Sequence, residues 1–286
     1  MAIPIASFSH RPEVHGHRGC RGLFPENTLP AFLHALALGV DVLEMDVVIS
    51  QDQQVVVAHD PWLSARLGLG PGDVPIDPRT EKQQRLYAMS YAEIQQCPLG
   101  VEAHPLFPGQ QPVRTHRPLL REVLQATTAA CLQLGRAPVR YAVELKSTPT
   151  GDNLLHPSPT LFVELVLAEL ASEQANTRTT LLSFDFRILR AIRRAAPNQA
   201  VCYLLEKPRL FSQLFADLGF VPEVFGPAHR LITAELLQYL RSHYPTMHLV
   251  PWTINEQADL VTALTWGATG ITTDYPDRLL RLLAAN

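Results

Sequence analysis

Short apolar runs alternate with longer amphipathic runs along most of the chain. The short runs have the length and β-branched content of buried strands, and the longer runs have the three-to-four-residue spacing of helices. Residues 14–17 and 40–49 are predicted strands, and residues 55–58 are predicted to return along the second of them. Residues 27–38 predict a helix between the first two strands.

The same alternation resumes after residue 118. Further strands are predicted at 139–145, 179–183, 201–205, 221–225, 248–252 and 269–272, and further helices at 119–134, 160–172, 187–195, 208–218, 233–242, 256–266 and 277–284. Without the return strand this makes eight strands, most of them followed by a helix. Such alternation predicts an α/β fold with a parallel sheet, and eight units predict a (β/α)₈ TIM barrel with its active site at the carboxyl ends of the strands.

One long segment, residues 61 to about 117, interrupts this pattern. It is rich in Pro, Gly and Gln, and it predicts only a short helical stretch at 91–96. A long irregular segment inside a compact domain usually serves a function or is disordered. We interpret it as an insertion after the second βα region, above the barrel mouth. No linker divides the chain, so we expect one domain over residues 1–286.

Composition narrows the class of protein. With 286 residues and 47% hydrophobic residues, the chain can bury one large core. The formal net charge is -3, so no basic excess supports a nucleic-acid partner. The four cysteines lie far apart without a Cys-x-x-Cys pair, which favours free thiols and a reducing compartment.

The N-terminal residues and the apolar runs also bear on location. Residues 1–10 contain no positive region followed by an apolar run, as a secretory signal would. No uninterrupted apolar stretch is long enough to span a bilayer. We therefore expect a cytoplasmic protein without stable membrane insertion. The oligomeric state stays open.

Polar side chains stand at the carboxyl ends of three predicted strands. His17 and Arg18 end the first, Glu44 and Asp46 lie in the second, and Glu144 and Lys146 end the strand at 139–145. Because side chains alternate along a strand, the two members of each of the last two pairs share a face. These positions are where a barrel enzyme carries its chemistry.

The three carboxylates predict a metal site. A single strand-end carboxylate is often only solvated or caps a helix. Three that face inward repel each other and lose hydration unless a cation holds them. A set of oxygen ligands without cysteine favours a hard ion, Mg²⁺ or Ca²⁺, over zinc. The sequence leaves the choice between those two ions open.

His59 follows the return strand and is the second candidate for acid–base work. Alone it would be interpreted as a structural histidine, but together with His17 beside carboxylates it can act as general acid or base near neutral pH. Arg18 and Lys146 can hold a phosphoryl group or pair with the local carboxylates. A metal, two cations and two histidines suit phosphodiester cleavage, which needs charge stabilisation and two proton transfers.

Two groups of short motifs follow one another along the chain. The first contains His17-Arg18-Gly19, Pro25-Glu26-Asn27-Thr28, Ala31-Phe32, Gly39-Val40-Asp41, Glu44-x-Asp46, Asp52 and His59-Asp60. The second contains Glu144-x-Lys146, Ser183-Phe184-Asp185, Pro251-Trp252-Thr253-x-Asn255 and Thr273-Asp274-x-Pro276. In order and spacing this ensemble resembles the glycerophosphodiester phosphodiesterases over nearly the whole barrel.

The resemblance implies an enzyme that releases sn-glycerol 3-phosphate and an alcohol from small glycerophosphodiesters. It implies that Glu44, Asp46 and Glu144 ligate one divalent cation, and that His17 and His59 share acid–base work. It also implies phosphate binding by Arg18 and Lys146, packing of Trp252 on the glycerol side of the substrate, and a supporting role for Glu26. The alcohol, and which histidine is the base, stay open.

Three other classes of protein share parts of this pattern. His15-x-His17 imitates the first strand of amidohydrolase barrels, but Glu206 stands where that class needs a histidine. Asp274 would fit that class too, although a carboxylate before the last helix also favours the helix dipole. A lysophospholipase D-like enzyme would need an apolar patch or basic rim, and a non-catalytic barrel would have lost part of the site.

Overall fold

The computed structural model describes residues 11–285, so the expectation of no secretory signal in residues 1–10 lies outside the described part of the chain. The strands are β1 Glu13–Gly16, β2 Val42–Ile49, β3 Val55–Val57, β4 Arg140–Leu145, β5 Thr179–Ser183, β6 Val201–Leu205, β7 Val224–Pro227, β8 His248–Leu249 and β9 Gly270–Thr273. The helices are α1 Leu29–Leu38, α2 Tyr91–Gln95, α3 Leu120–Gln133, α4 Pro159–Ser172, α5 Phe186–Ala195, α6 Ala234–His243, α7 Gln257–Leu264 and α8 Pro276–Ala284.

The strands form a nearly closed parallel barrel in the order β8-β7-β6-β5-β4-β2-β1-β9. β3 pairs antiparallel with β2, with Val56 opposite Val48, and is the predicted return strand. The circle closes between β8 and β9, where the amide of Thr269 donates to the carbonyl of Leu249 at 2.9 Å. The prediction of an eight-stranded barrel is confirmed.

The first helix shows how local sequence sets element boundaries. Thr28 caps the start of this helix, because its hydroxyl accepts a hydrogen bond from the amide of Ala31 at 3.5 Å. Gly39 ends the helix in the left-handed region at φ 96°, where glycine carries no Cβ penalty. α1 buries Phe32 and Leu36 against the barrel strands, so the helix is anchored by its apolar face.

Two of the three clusters of buried apolar residues contain most of the core. The main core lies between the barrel strands and their helices, and its largest side chains include Phe32, Tyr141 and Phe225. The inserted segment, residues 61–117, packs Leu63, Leu86 and other side chains onto the face of β2 and β3 that carries Val48 and Val56, as a second core. The insertion is thus fastened to the strands that carry part of the site.

The helical stretch predicted inside the inserted segment is present as α2. Ser90 and Glu93 form a reciprocal capping box at its start, which satisfies amides that the first turn leaves free. Most of the remaining inserted segment consists of short 3₁₀ turns and irregular chain.

The helix predicted at 208–218 is wrong. This stretch holds one 3₁₀ turn, Phe211–Gln213, followed by further turns. Leu214, Phe215 and Leu218 still bury their side chains, which explains the helical spacing. Because turns bury these side chains, their spacing does not require helical hydrogen bonding.

Two strands also differ from the predicted bounds. β7 begins at Val224 rather than at residue 221, because Pro222 has no amide to donate to a ladder. β8 has only two residues where five were predicted, because Pro251 interrupts the ladder in the same way.

Cys20, Cys97, Cys131 and Cys202 are buried free thiols, as predicted. Within residues 11–285 no helix is long and apolar enough to cross a membrane.

Candidate active site

His17 follows β1 at the carboxyl end of the barrel, and it is buried. Its Nδ1 lies 2.6 Å from Oδ1 of Asp274, while its Nε2 lies 3.9 Å from Oε2 of Glu44. Burial lowers the pKa of His17; the charge of Asp274 opposes this shift, and Arg18 adds to it. The imidazole is therefore held at one nitrogen and presents the other to the acidic residues of the site.

Three buried carboxylates meet beside His17. Glu44 and Asp46 share a face of β2, and parallel pairing with β4 places Glu144 opposite Asp46. Each of the three offers an oxygen, and these oxygens lie within 4.8 Å of one another. The sequence prediction that Glu44, Asp46 and Glu144 converge agrees with this geometry, and the group can hold a metal ion.

Two cations partly neutralise this triad. Nζ of Lys146 lies 2.7 Å from Glu144 and 3.5 Å from Asp46. Nε of Arg18 lies 3.2 Å from Asp46. Burial would raise the pKa of Asp46, but the charges of Arg18 and Lys146 outweigh burial and hold it below its usual range.

The other two carboxylates are less well compensated. Burial, followed by the charge of Asp46, raises the pKa of Glu44 well above its usual value. Burial also raises the pKa of Glu144, although Lys146 opposes this. Within the described chain, no Lys or Arg lies within ion-pair distance of Glu44. A divalent cation bound by three oxygen donors would supply the missing countercharge, so the residues present fit such an ion.

Arg18 and Glu26 form a buried pair in the loop after β1. Nη1 of Arg18 donates to Oε1 of Glu26 at 2.6 Å, and the Arg18 backbone amide donates to Glu44 at 2.8 Å. Arg18 has φ 50°, a left-handed conformation that aims its amide and side chain at the triad. Arg18 and Lys146 thus already contact carboxylates, which is the alternative that the sequence left open beside phosphate binding.

His59 follows the return strand and faces the same cavity as His17, Glu44 and Glu144. Its Nδ1 lies 2.8 Å from Oδ1 of Asp60, and its side chain is 33% exposed. Both imidazoles therefore have a carboxylate on Nδ1, which leaves each Nε2 free for proton transfer.

The cavity itself has a volume of about 760 Å³. Its polar wall carries the residues described above. Side chains from the strands and strand ends on the opposite side form an apolar wall: Leu182, Phe184, Leu204, Val224, Val250 and Trp252. The indole N–H of Trp252 donates to the carbonyl of Gly226 at 2.7 Å, and its ring meets Phe184 edge-on at 5.6 Å. Trp252 therefore offers an apolar surface to whatever enters.

Sequence reasoning missed the role of Asp274. It was attributed to the dipole of the last helix, but its carboxylate contacts His17 and accepts from Arg21 at 2.9 and 3.0 Å and from Asn255 at 2.7 Å. The available signal was its position directly after β9 within Thr273-Asp274-x-Pro276.

Asn27 lies at the start of the helix that the sequence predicts over 27–38. Its amide group exchanges two hydrogen bonds with Asp46, at 2.9 and 3.2 Å. It thereby holds that carboxylate in place within the triad.

His15 does not join the acidic cluster. Its Nε2 lies 3.4 Å from Glu13, at the opposite end of β1. Among residues 11–285, Glu44, Asp46 and Glu144 are the one set of three His, Cys, Asp or Glu side chains close enough to hold an ion. The histidine-rich metal centre of an amidohydrolase is therefore not formed by these residues.

Comparison with known proteins agrees with this geometry. Residues 17–278 match the Glycerophosphoryl diester phosphodiesterase family. A glycerophosphodiester phosphodiesterase from Bacillus altitudinis is 27% identical over 275 residues, covering 94% of this chain and 97% of that protein.

Solved structures share the fold. A candidate glycerophosphoryl diester phosphodiesterase from Silicibacter pomeroyi is 31% identical with a TM-score of 0.84, covering 97% of this chain and 95% of that one. A phosphodiesterase from Oleispira antarctica, in complex with the product sn-glycerol-3-phosphate, has a TM-score of 0.74 at 19% identity, covering 96% of this chain and 97% of that one.

Proposed function

The chain belongs to the glycerophosphoryl diester phosphodiesterase family, and we propose that it hydrolyses glycerophosphodiesters to sn-glycerol 3-phosphate and an alcohol. The observation that carries the proposal is the cavity that His17, His59, Glu44 and Glu144 line, with Asp46 buried beside the two glutamates. The product bound to the Oleispira antarctica enzyme supports the same product here.

Glu44, Asp46 and Glu144 are proposed to hold one Mg²⁺ or Ca²⁺, since all three offer oxygen donors. When bound, such an ion supplies positive charge to the non-bridging oxygens of the phosphate. Burial and, after it, the charge of Asp46 raise the pKa of Glu44, and a bound cation would offset both effects.

Arg18 and Lys146 are proposed to hold the phosphate beside the triad. Both lie at the cavity surface; Lys146 can turn from Glu144 to a phosphate oxygen, and Arg18 can bind one with another guanidinium nitrogen while its Nη1 stays on Glu26. Glu26 supports Arg18, because their 2.6 Å contact orients the guanidinium. The Trp252 ring lies on the apolar wall and is proposed to pack against the carbon side of the glycerol.

The two imidazoles supply the proton transfers. The phosphorus–oxygen bond to the alcohol breaks as a new bond to the attacking oxygen forms. One imidazole accepts the proton that leaves the nucleophile, and the other donates a proton to the departing alkoxide. Asp274 and Asp60 hold these rings through Nδ1, so that each Nε2 is available.

The test is product release from several glycerophosphodiesters with Mg²⁺, Ca²⁺ or a chelator. We expect activity only with a divalent cation, and a loss of about 10²–10⁴-fold in kcat for His17→Ala and for His59→Ala. His34 lies on α1 away from the cavity, so His34→Ala is the matched control. Full activity in chelator would eliminate the metal site, and wild-type rates in both variants would eliminate the histidine assignment.

A cation titration followed by thermal unfolding tests the triad without any substrate. At a cation concentration about 100 times Kd, the wild type should gain about 2.7 kcal/mol of stability. Glu44→Gln should gain little, while without cation it should be at least as stable as the wild type, because it removes a buried uncompensated acid. An equal gain in both proteins would place the ion elsewhere.

Lysophospholipids are a second candidate substrate class, favoured by the apolar wall of the cavity. The same release assay with a lysophospholipid arm separates the two classes.

We further propose that residues 1–286 form one domain with 61–117 as its insertion. The four buried free thiols support a cytoplasmic location.

A further inference from the structure

We propose that the inserted segment, residues 61–117, is a positioning element for both histidines of the site. This inference rests on the proposed function and deepens it, because it assigns the insertion a role in catalysis rather than in covering the barrel. Two independent sets of contacts carry it, one leading to His17 and the other to His59.

The first set leads from Phe107 to His17. The Phe107 ring lies under the guanidinium of Arg21 at 4.8 Å, a cation–π contact. Gln110 donates its side-chain amide to the backbone carbonyl of Arg21 at 2.6 Å. Arg21 thus receives two contacts from the inserted segment, one on its side chain and one on its backbone.

Arg21 in turn binds the carboxylate that contacts His17. Its Nε and Nη2 donate to the two oxygens of Asp274 at 2.9 and 3.0 Å. Asp274 is fully buried and holds Nδ1 of His17 at 2.6 Å. A bidentate guanidinium fixes the plane of a carboxylate, so the orientation of Asp274, and through it of the imidazole, depends on where Arg21 is held.

The second set starts at Arg117, the last residue of the inserted segment. Arg117 is 2% exposed, and its Nη1 has no hydrogen-bond partner within the described part of the chain. A buried cation without a paired carboxylate costs stability, so a fold would not retain it for packing alone.

The surroundings of Arg117 suggest what it does. It lines a void of about 10 Å³ together with His59, Asp60 and Glu26. Such a volume fits about one water molecule, so the guanidinium can reach Asp60 through a single bridging water. Burial lowers the pKa of Arg117 to about 10, which still leaves it charged at neutral pH. Arg117 therefore supplies positive charge behind the carboxylate that holds His59.

Phe107→Ala tests the first set of contacts, with Leu106→Ala as its matched control. Leu106 is the adjacent residue and is 66% exposed. We expect Phe107→Ala to lower kcat about 10–100-fold with KM nearly unchanged, because the histidine is misplaced while the phosphate site remains. Leu106→Ala should retain wild-type values.

Arg117→Met tests the second set, with Arg85→Met as its control. Arg85 lies in the same segment and also has a buried nitrogen, Nε, without a partner, but it does not line the void. Removing the buried charge should leave Arg117→Met as stable as the wild type or more stable, while kcat falls about tenfold. If Arg117 had only a structural role, Arg117→Met would lose activity and stability together. That result would overturn this part of the proposal.

Nuclear magnetic resonance of the histidine rings provides a readout that needs no substrate. The Nδ1 proton of His17, assigned by its absence in His17→Gln, should broaden or shift in Phe107→Ala and stay unchanged in Leu106→Ala. Long-range proton–nitrogen spectra should show a changed tautomer balance of His59 in Arg117→Met only.

The outcomes distinguish failure of the positioning role from failure of the proposed function. If the wild type turns over the diesters and both variants keep its kcat and its histidine spectra, the inserted segment has no positioning role. If the wild type does not cleave the diesters, the proposed function fails, and the spectra alone decide whether the insertion positions the rings.

Discussion

At the scale of single residues, the site is an arrangement of acids whose charges must be compensated. Asp274 is the clearest case, because it is fully buried and accepts hydrogen bonds from a histidine, an arginine and an asparagine. Burial would raise its pKa, but the charge and hydrogen bond of His17, then those of Arg21, outweigh burial and hold it far below the usual range.

The depressed pKa of Asp274 makes its contribution to stability dependent on pH. A carboxylate with a lowered folded pKa stabilises the fold above its unfolded pKa of about 3.9, and the contribution is lost as pH falls through the folded pKa. At pH 7, Asp274→Asn should lower the free energy of unfolding by about 3–5 kcal/mol, because His17 and Arg21 lose a buried partner.

Urea unfolding of Asp274→Asn and the wild type checks this, with chelator present throughout. The stability difference between the two proteins should be constant near neutral pH and shrink as the pH falls below about 4. Asp77→Asn serves as the control, because that aspartate is partly exposed and, within the described chain, its side chain pairs only with Arg79 two residues on. A difference for Asp274→Asn that does not change with pH would contradict the ionised pair.

At the scale of elements, the loop between β1 and α1 presents the site. Gly19 has φ 85° and donates its amide to the backbone carbonyl of Glu44 at 3.2 Å. A Cβ on Gly19 would lie 2.8 Å from the backbone carbon and the Cβ of Ala31. The loop is therefore packed directly on α1, and Arg18 is aimed at the triad by that packing.

Two glycine substitutions separate backbone conformation from packing. Gly39→Ala at the end of α1 should cost about 1–2 kcal/mol for its left-handed φ alone, since a Cβ there meets nothing within 4 Å. Gly19→Ala should cost about 1–3 kcal/mol more, because the clash with α1 must be relieved. Chemical unfolding measures both, and product release should fall only in Gly19→Ala. Equal costs would mean that the loop is free to move.

At the scale of the whole molecule, barrel closure is the weakest part of the sheet. β8 has two residues, and the seam to β9 consists of hydrogen bonds from the amides of Thr269, Thr272 and Ile254 at 2.9–3.0 Å. By contrast β2 and β4 share a ladder of six residue pairs. Trp252 lies beside this seam, and Asp274 directly follows β9. The mobility of the seam therefore affects the active site.

Native-state hydrogen exchange tests this difference. The amides of Thr269 and Thr272 should exchange through local opening at a lower free energy than the amide of Leu181 in β5, which should need global unfolding. Bound cation should change the seam less than the amides around the triad. One common opening energy for all three amides would show that the barrel unfolds as a single unit.

The sequence alone determined a large part of this protein. Its alternation of short and long apolar runs specified eight strands around a barrel, and alternation within β2 and β4 put Glu44, Asp46 and Glu144 on inward faces. These features are local, because the spacing of apolar residues two or three positions apart determines which face of an element is buried. The helix predicted at 208–218 failed for the same reason, since helical spacing reports which side chains are buried and not how the backbone is bonded.

Only the tertiary structure decided which polar groups meet. Asp274 contacts His17 across 257 positions of sequence, and Phe107 and Arg117 approach the site from an insertion without regular pattern. No local rule places these partners, because their contacts exist only once the last strand lies beside the first and the insertion has packed on β2 and β3. Ionic partnership depends on distance in space, and the pairing of β9 with β1 and the packing of the insertion set that distance.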